Sequence, residues 1–148
     1  MTLKLWNTET NVATGSGVDR EMIAALPNGG YVVVWRDTKK IYFQRYDGLG
    51  TKVGGPTIVA EDARDHNIAD IAVDPVTGEL AISWNASQGD APGSFEFSTG
   101  FFDIDGNTLA TQLLVNGLSI DNADAPATAR NGNDGYVTAL DLGSNIIL

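Results

Sequence analysis

The chain has no cysteine, which excludes disulfides, thiolate metal sites and cysteine nucleophiles together. Its one histidine, His66, cannot build a multi-histidine metal centre, and no serine or carboxylate stands at a spacing that marks a triad with it. Basic residues are scarce, 9 against 19 acidic. The net charge of −10 repels phosphate backbones and anionic lipid, so nucleic acid is not an expected partner. No apolar run nears the ~20 residues of a membrane span. The opening "MTLKLWNTET" lacks the apolar centre of a cleaved signal peptide, which speaks against a Sec-exported precursor. Sustained helical periodicity, a glycine-rich phosphate loop ahead of a helix and a nucleophile elbow are all missing as well.

What the sequence has is strand after strand. "EMIAAL" (21–26), "GYVVVWRD" (30–37), "KIYFQRYD" (40–47) and "PTIVAED" (56–62) are short and rich in β-branched and aromatic residues. Asn28-Gly29-Gly30 and Gly48-Leu49-Gly50 supply the turn chemistry between them. The pattern then recurs in "IADIAVDP" (68–75), "GELAISW" (78–84), "SFEFSTGFFDIDG" (94–106) and "ATQLLVNG" (110–117). Trp35 lies over Trp84, and Tyr46-Asp47 over Phe102-Asp103, with "NASQGDAPGS" (85–94) as a lengthened surface loop. A third copy starts in "APATARNGNDGYVTALDLGSNIIL" (125–148), where Leu140 replaces the tryptophan. A repeat of ~50 residues with four strands is the pattern of a propeller-type array. The expected fold is therefore all-β, a propeller-like array of four-stranded antiparallel blades forming one domain. Its repeats are 19–62, 63–117 and a split repeat, 118–148 plus 1–18, in which "LKLWNTETNVAT" (3–14) completes the last copy.

The stretch "LPNGGYVVVW…IYFQRYDGLGTKVGG" resembles the tandem repeat of very large secreted bacterial proteins of the RTX and adhesin type. Residues 21–60 carry the likeness well. Residues 68–116 keep Trp84, Phe102, Asp103 and Gly106 but lose the Gln-Arg pair and Val-Gly-Gly, and 126–148 keep only the first strand. The resemblance implies an exported or surface module and no catalytic site. The glycine- and aspartate-rich nonapeptides that bind calcium in those proteins are not in this sequence.

The candidate sites are few. "DIDGN" (103–107) begins like a calcium loop, with Asp103, Asp105 and Asn107 as prospective oxygen ligands. It lacks the third carboxylate and distal glutamate of an EF-hand, and the same residues make a hairpin turn, so a turn is expected, with calcium as the alternative. His66, Glu61, Asp62, Asp65, Asp121 and Asp124 read as parts of solvated connectors. Trp35 and Trp84, repeated at one strand position, read as packing between blades. Trp6, Asp47 and Asp90 are the candidate ligand contacts, the tryptophan because stacking on a sugar ring suits an aromatic not committed to the core. The leading functional expectation is a non-catalytic secreted or cell-surface module for adhesion or glycan binding. A self-assembling scaffold and, last, a glycan-processing propeller are the alternatives. Three blades per chain leave two strand edges, "TLKLW" and "SNIIL", so a homo-oligomer is expected: a dimer of six blades in which residues 2–7 of one copy pair with 144–148 of the other.

Overall fold

The computed structural model describes residues 11–37, 39–61, 65–87, 94–119, 126–132, 135–141 and 146–147. All the regular elements among them are β-strands, and all their pairings are antiparallel. No described helix is long and apolar enough to cross a membrane. The first sheet runs β1 (Val18–Ala25), β2 (Tyr31–Asp37), β3 (Lys40–Tyr46), β4 (Lys52–Glu61) in that spatial order. The second repeats the meander with β5 (His66–Val73), β6 (Leu80–Ser87), β7 (Ser94–Phe102) and β8 (Thr108–Ser119). The third holds β9 (Ala127–Asn131), β10 (Gly135–Asp141) and β11 (Ile146–Ile147), with β10 in the middle. Among the described residues no sheet closes on itself.

Local chemistry explains the meander. Between β1 and β2 the Leu26 and Gly29 amides donate to the Gly30 and Leu26 carbonyls, while Asn28 Oδ1 accepts the Gly30 amide at 3.0 Å. Gly29 takes a φ of 84°, a conformation that side chains resist. Gly30 is needed for a different reason: a Cβ there would lie 2.3 Å from the Tyr46 carbonyl oxygen on β3. The Gly-Gly pair thus turns the chain once and lets two strands approach once.

The three sheets stack face to face. Val32 and Val34 of β2 and Ile41 and Phe43 of β3 point away from solvent and join Leu80, Ile82, Trp84 and Phe102 of the second sheet in one core cluster. Phe43 meets Phe102 edge-on, ring centres 5.0 Å apart. The opposite face of the second sheet meets the third. There Ser83 Oγ lies 2.6 Å from Thr128 Oγ1 and 2.8 Å from Thr99 Oγ1, and the Phe101 and Tyr136 rings are 5.6 Å apart. Residues 80–86 of β6 are consequently all buried, because that strand has no solvent face. Val32 and Val34 stand to the second sheet as Ala81 and Ser83 stand to the third.

Arginines cross the seams. Arg36 pairs with Asp19 on its own sheet, and its Nη1 donates across to the His66 carbonyl at 3.1 Å and to Asn67 Oδ1 at 2.9 Å. His66 is here no solvated loop residue but the first residue of β5, 1% exposed, with Nδ1 3.0 Å from the Lys39 carbonyl. Glu61, expected in a connector, ends β4 and pairs with Lys40. Trp35 and Trp84 are both buried, as their repeated position suggested, with Trp35 stacked on Tyr42. Asp62, Asp121, Asp124, residues 1–10 and residues 142–145 lie outside the described residues, and with them part of the expected split blade and most of its edge exchange.

Truncating Phe43→Ala removes one side of the edge-on pair in a packed seam, and chemical denaturation should show a loss of ~3–5 kcal/mol. Combined with Phe102→Ala, the cycle should return a coupling of ~0.5–1.5 kcal/mol.

Candidate functional site

The residues singled out in the sequence fall in separate places. Asp103, Asp105 and Asn107 share the β7–β8 turn. There the Asp103 carboxylate accepts the Asn107 amide and Nδ2, both at 2.8 Å, and the Gly106 amide donates to the Asp103 carbonyl at 3.0 Å. These bonds, the Asn107 side chain first, hold the Asp103 carboxyl below its ordinary value. Gly106 has a φ of 88°. Asp105 is 81% exposed and faces Arg45 at 3.7 Å, while Arg45 Nη1 donates to the Ile104 carbonyl at 2.5 Å. The turn is therefore closed by its own bonds and fastened to the first sheet. Among the described residues, no three His, Cys, Asp or Glu side chains gather as a metal site would require.

Asp47 plays the matching part in the β3–β4 turn. Its Oδ1 accepts the Leu49 amide at 2.9 Å and the Thr51 amide at 2.8 Å, and these backbone donors, with Thr51 the larger influence, lower its pKa. A cleft of about 100 Å³ lies beside it, next to Tyr46 and Arg45. Trp6 and Asp90 lie outside the described residues.

One concave feature was passed over in reading the sequence. Residues 73–77, which end β5 and turn toward β6, face residues 130–132 at the end of β9 across a groove of about 550 Å³. At its base Asp74 and Arg130 form a pair. Asp74 Oδ1 accepts the amides of Val76 at 2.7 Å and Thr77 at 3.1 Å, and Oδ2 accepts Arg130 Nε at 2.8 Å and Nη2 at 2.7 Å. Arg130 Nη1 donates to the carbonyls of Asn131 at 2.6 Å and Gly135 at 2.8 Å, and its guanidinium carbon lies 5.4 Å from the centre of the Tyr136 ring. Tyr136 in turn donates its hydroxyl to the Glu79 carbonyl at 3.0 Å.

The electrostatics follow from these partners. The Asp74 side chain is 4% exposed, so its charge survives only because donors surround it. The Val76 and Thr77 amides contribute most and Arg130 next, lowering its pKa to about 2. The rim is apolar by contrast, with Pro75 lining it and Val76 85% exposed. The groove thus offers a fixed carboxylate–guanidinium pair beside an aliphatic shelf. "DPVTG" is a legible Asx-turn signal, but Arg130 lies far along the chain, and nothing in either segment names the other as partner.

No known protein family matches this chain, and no curated protein or solved structure is significantly similar to it.

A carboxylate held at about 2 in the fold against an ordinary 3.8 gives stability that is complete above pH ~4 and is lost as pH falls toward 2. Asp74→Asn should therefore flatten the decline of Tm between pH 4 and pH 2, measured by calorimetry. Some decline should persist, because Asp19, Asp47 and Asp103 are shifted in the same direction.

Proposed function

We propose that the chain is a non-catalytic, secreted or cell-surface module of β-propeller type that binds a neutral glycan in the groove between residues 73–77 and 130–132. The observation that carries this reading is the pairing of a rigid Asp74–Arg130 couple with the exposed Val76 shelf. A sugar ring presents an aliphatic C–H face and a rim of hydroxyls that both donate and accept. Pro75 and Val76 suit the face, while Asp74, Arg130 and Thr77 suit the rim. The mutual neutralisation of Asp74 and Arg130 favours an uncharged ligand over an anion or a cation, since either would meet a charge already satisfied. The volume of about 550 Å³ is within the range of small-ligand sites, ~300–1,000 Å³.

Propeller architecture is supported by the sheet order and by the first strands: β5 packs beside both β1 and β9, as inner strands around a common axis do. On this reading each chain supplies three blades. The resemblance of residues 21–60 to the RTX and adhesin repeat supports export and surface display. The glycan-processing alternative is weaker. A hydrolase needs two carboxylates ~5–10 Å apart, one able to carry a proton, whereas among the described residues Asp74 is the carboxylate lining this groove and its pKa is lowered to about 2.

The test is a glycan array probed with the full chain, followed by calorimetric titration of each positive. Val76→Glu, a change at an exposed position, should weaken binding ~10-fold with an unchanged far-UV spectrum, since it sets a charge against the aliphatic shelf. A blank array, together with no retention on insoluble polysaccharides, would remove the glycan reading and leave the scaffold alternative.

A further inference from the structure

Asparagine followed by glycine is prone to close a ring on itself, because no side chain hinders the amide nitrogen that attacks the carboxamide. The sequence holds three such pairs: Asn28-Gly29, Asn116-Gly117 and Asn131-Gly132. The fold treats them differently. In the β1–β2 turn, Asn28 Oδ1 accepts the Gly30 amide at 3.0 Å, and the Gly29 amide donates to the Leu26 carbonyl at 3.1 Å. The carboxamide and the attacking nitrogen are both committed there. Asn116-Gly117 lies inside β8, where an extended backbone is far from the ψ that ring closure needs.

Asn131 ends β9, and Gly132 begins the turn that follows. Both are exposed, so water and solvent base reach them. A Cβ on Gly132 would meet nothing within 4 Å, and among the described residues no group accepts a hydrogen bond from its amide. The Asn131 carbonyl, by contrast, accepts Arg130 Nη1 at 2.6 Å. That carbonyl and the Gly132 N–H belong to one peptide unit, so resonance carries charge from the nitrogen to this oxygen. Arg130 is itself fixed, by Nε and Nη2 on Asp74 and by Nη1 on the Gly135 carbonyl. A guanidinium held against the oxygen stabilises the negative charge that develops as the Gly132 amide loses its proton.

We propose that Asn131 is a modification site, at which the folded chain converts its own asparagine to aspartate and isoaspartate with the help of Arg130. The Gly132 nitrogen gives its proton to solvent base and attacks Asn131 Cγ. The Cγ–Nδ2 bond breaks, and Nδ2 takes a proton from water and leaves as ammonia. The five-membered succinimide that results is opened by water at either carbonyl. Attack at Cγ gives aspartate, and attack at the main-chain carbon gives isoaspartate, with the backbone rerouted through the side chain. Water is the one co-reactant, and nothing is oxidised or reduced. Asn131 and Gly132 line the groove that holds Asp74 and Arg130, so the reaction sets a second carboxylate on the groove wall. That group competes with Asp74 for the guanidinium. The reaction does not depend on glycan binding, and its readout is covalent.

The test is to hold the full chain in mildly alkaline buffer, native and in urea at the same pH, and to follow each asparagine by peptide mass mapping. Isoaspartate is scored separately by enzymatic methylation. In urea Asn28 and Asn131 should convert at similar rates, since both precede glycine. In the native chain Asn131 should outrun its own urea rate by ~10-fold, the effect of about one charge-assisted hydrogen bond to the reacting amide, and Asn28 should fall below its urea rate. Gly132→Ala, tolerated because the added Cβ meets open space and the backbone there is not left-handed, should slow conversion at 131 and leave 28 unchanged. Arg130→Gln should bring the rate at 131 down to the urea value or below, whether or not the third sheet stays docked. A native rate at 131 no higher than in urea would overturn the proposal. So would equal native rates at 28 and 131, wild-type conversion in Gly132→Ala, or aspartate formed without isoaspartate, which would mean direct hydrolysis without the ring.

Discussion

Strand β6 has neighbours on both faces, and the rest of the fold is arranged around that constraint. A strand with one wet face alternates polar and apolar residues, but residues 80–86 are buried throughout. Leu80, Ile82 and Trp84 fill one seam, and Ala81 and Ser83 fill the other. Each large apolar side chain so covered contributes about 1.5–3 kcal/mol relative to exposure. That contribution requires a sheet on either side at close range. The short turns within each sheet matter mainly because they keep the strands in the register that presents these faces together.

Seams between sheets have no backbone ladder to fix their register, and arginines supply what the ladder would have supplied. Arg36 reaches the His66 carbonyl, Arg45 reaches the Ile104 carbonyl, and Arg130 joins the third sheet to Asp74. A guanidinium offers several donors in a rigid plane, so one side chain can grip a carbonyl on one sheet and a carboxylate on another. The groove proposed for ligand inherits its rigidity from this use. Its polar groups were placed to hold two sheets in register, and a ligand would meet them already oriented.

Much of this was legible in the sequence, and the remainder was hidden for identifiable reasons. The strand at 31–37, the Gly29-Gly30 turn and the Asp47 and Asp103 turns could be read because local chemistry specifies them. The buried state of both repeated tryptophans followed from their recurrence. His66 was misread because acidic neighbours suggested a loop, while the strand that claims it is defined by partners on β6 and by Lys39. In β4, Gly54, Gly55 and Pro56 look like a turn, yet they sit inside an edge strand, where proline and bulges are tolerated. The Asp74–Arg130 pair was invisible because its halves are joined by stacking, which has no local signature.

The two seams differ at several equivalent positions, one of which lies just past the first strand of each sheet. Leu26, just past β1, lies in an apolar cluster with Val73, whereas Asp74, just past β5, meets Arg130 on β9. An aspartate placed against the Val73 type of surface would be a buried charge without a cation, and Arg130 opposite a leucine would be the same error with the sign reversed. Sheets built from one repeat could otherwise dock in any sequence. This position acts as one key that distinguishes the second neighbour from the first, so the order of the layers is written into side chains as well as into the connecting loops.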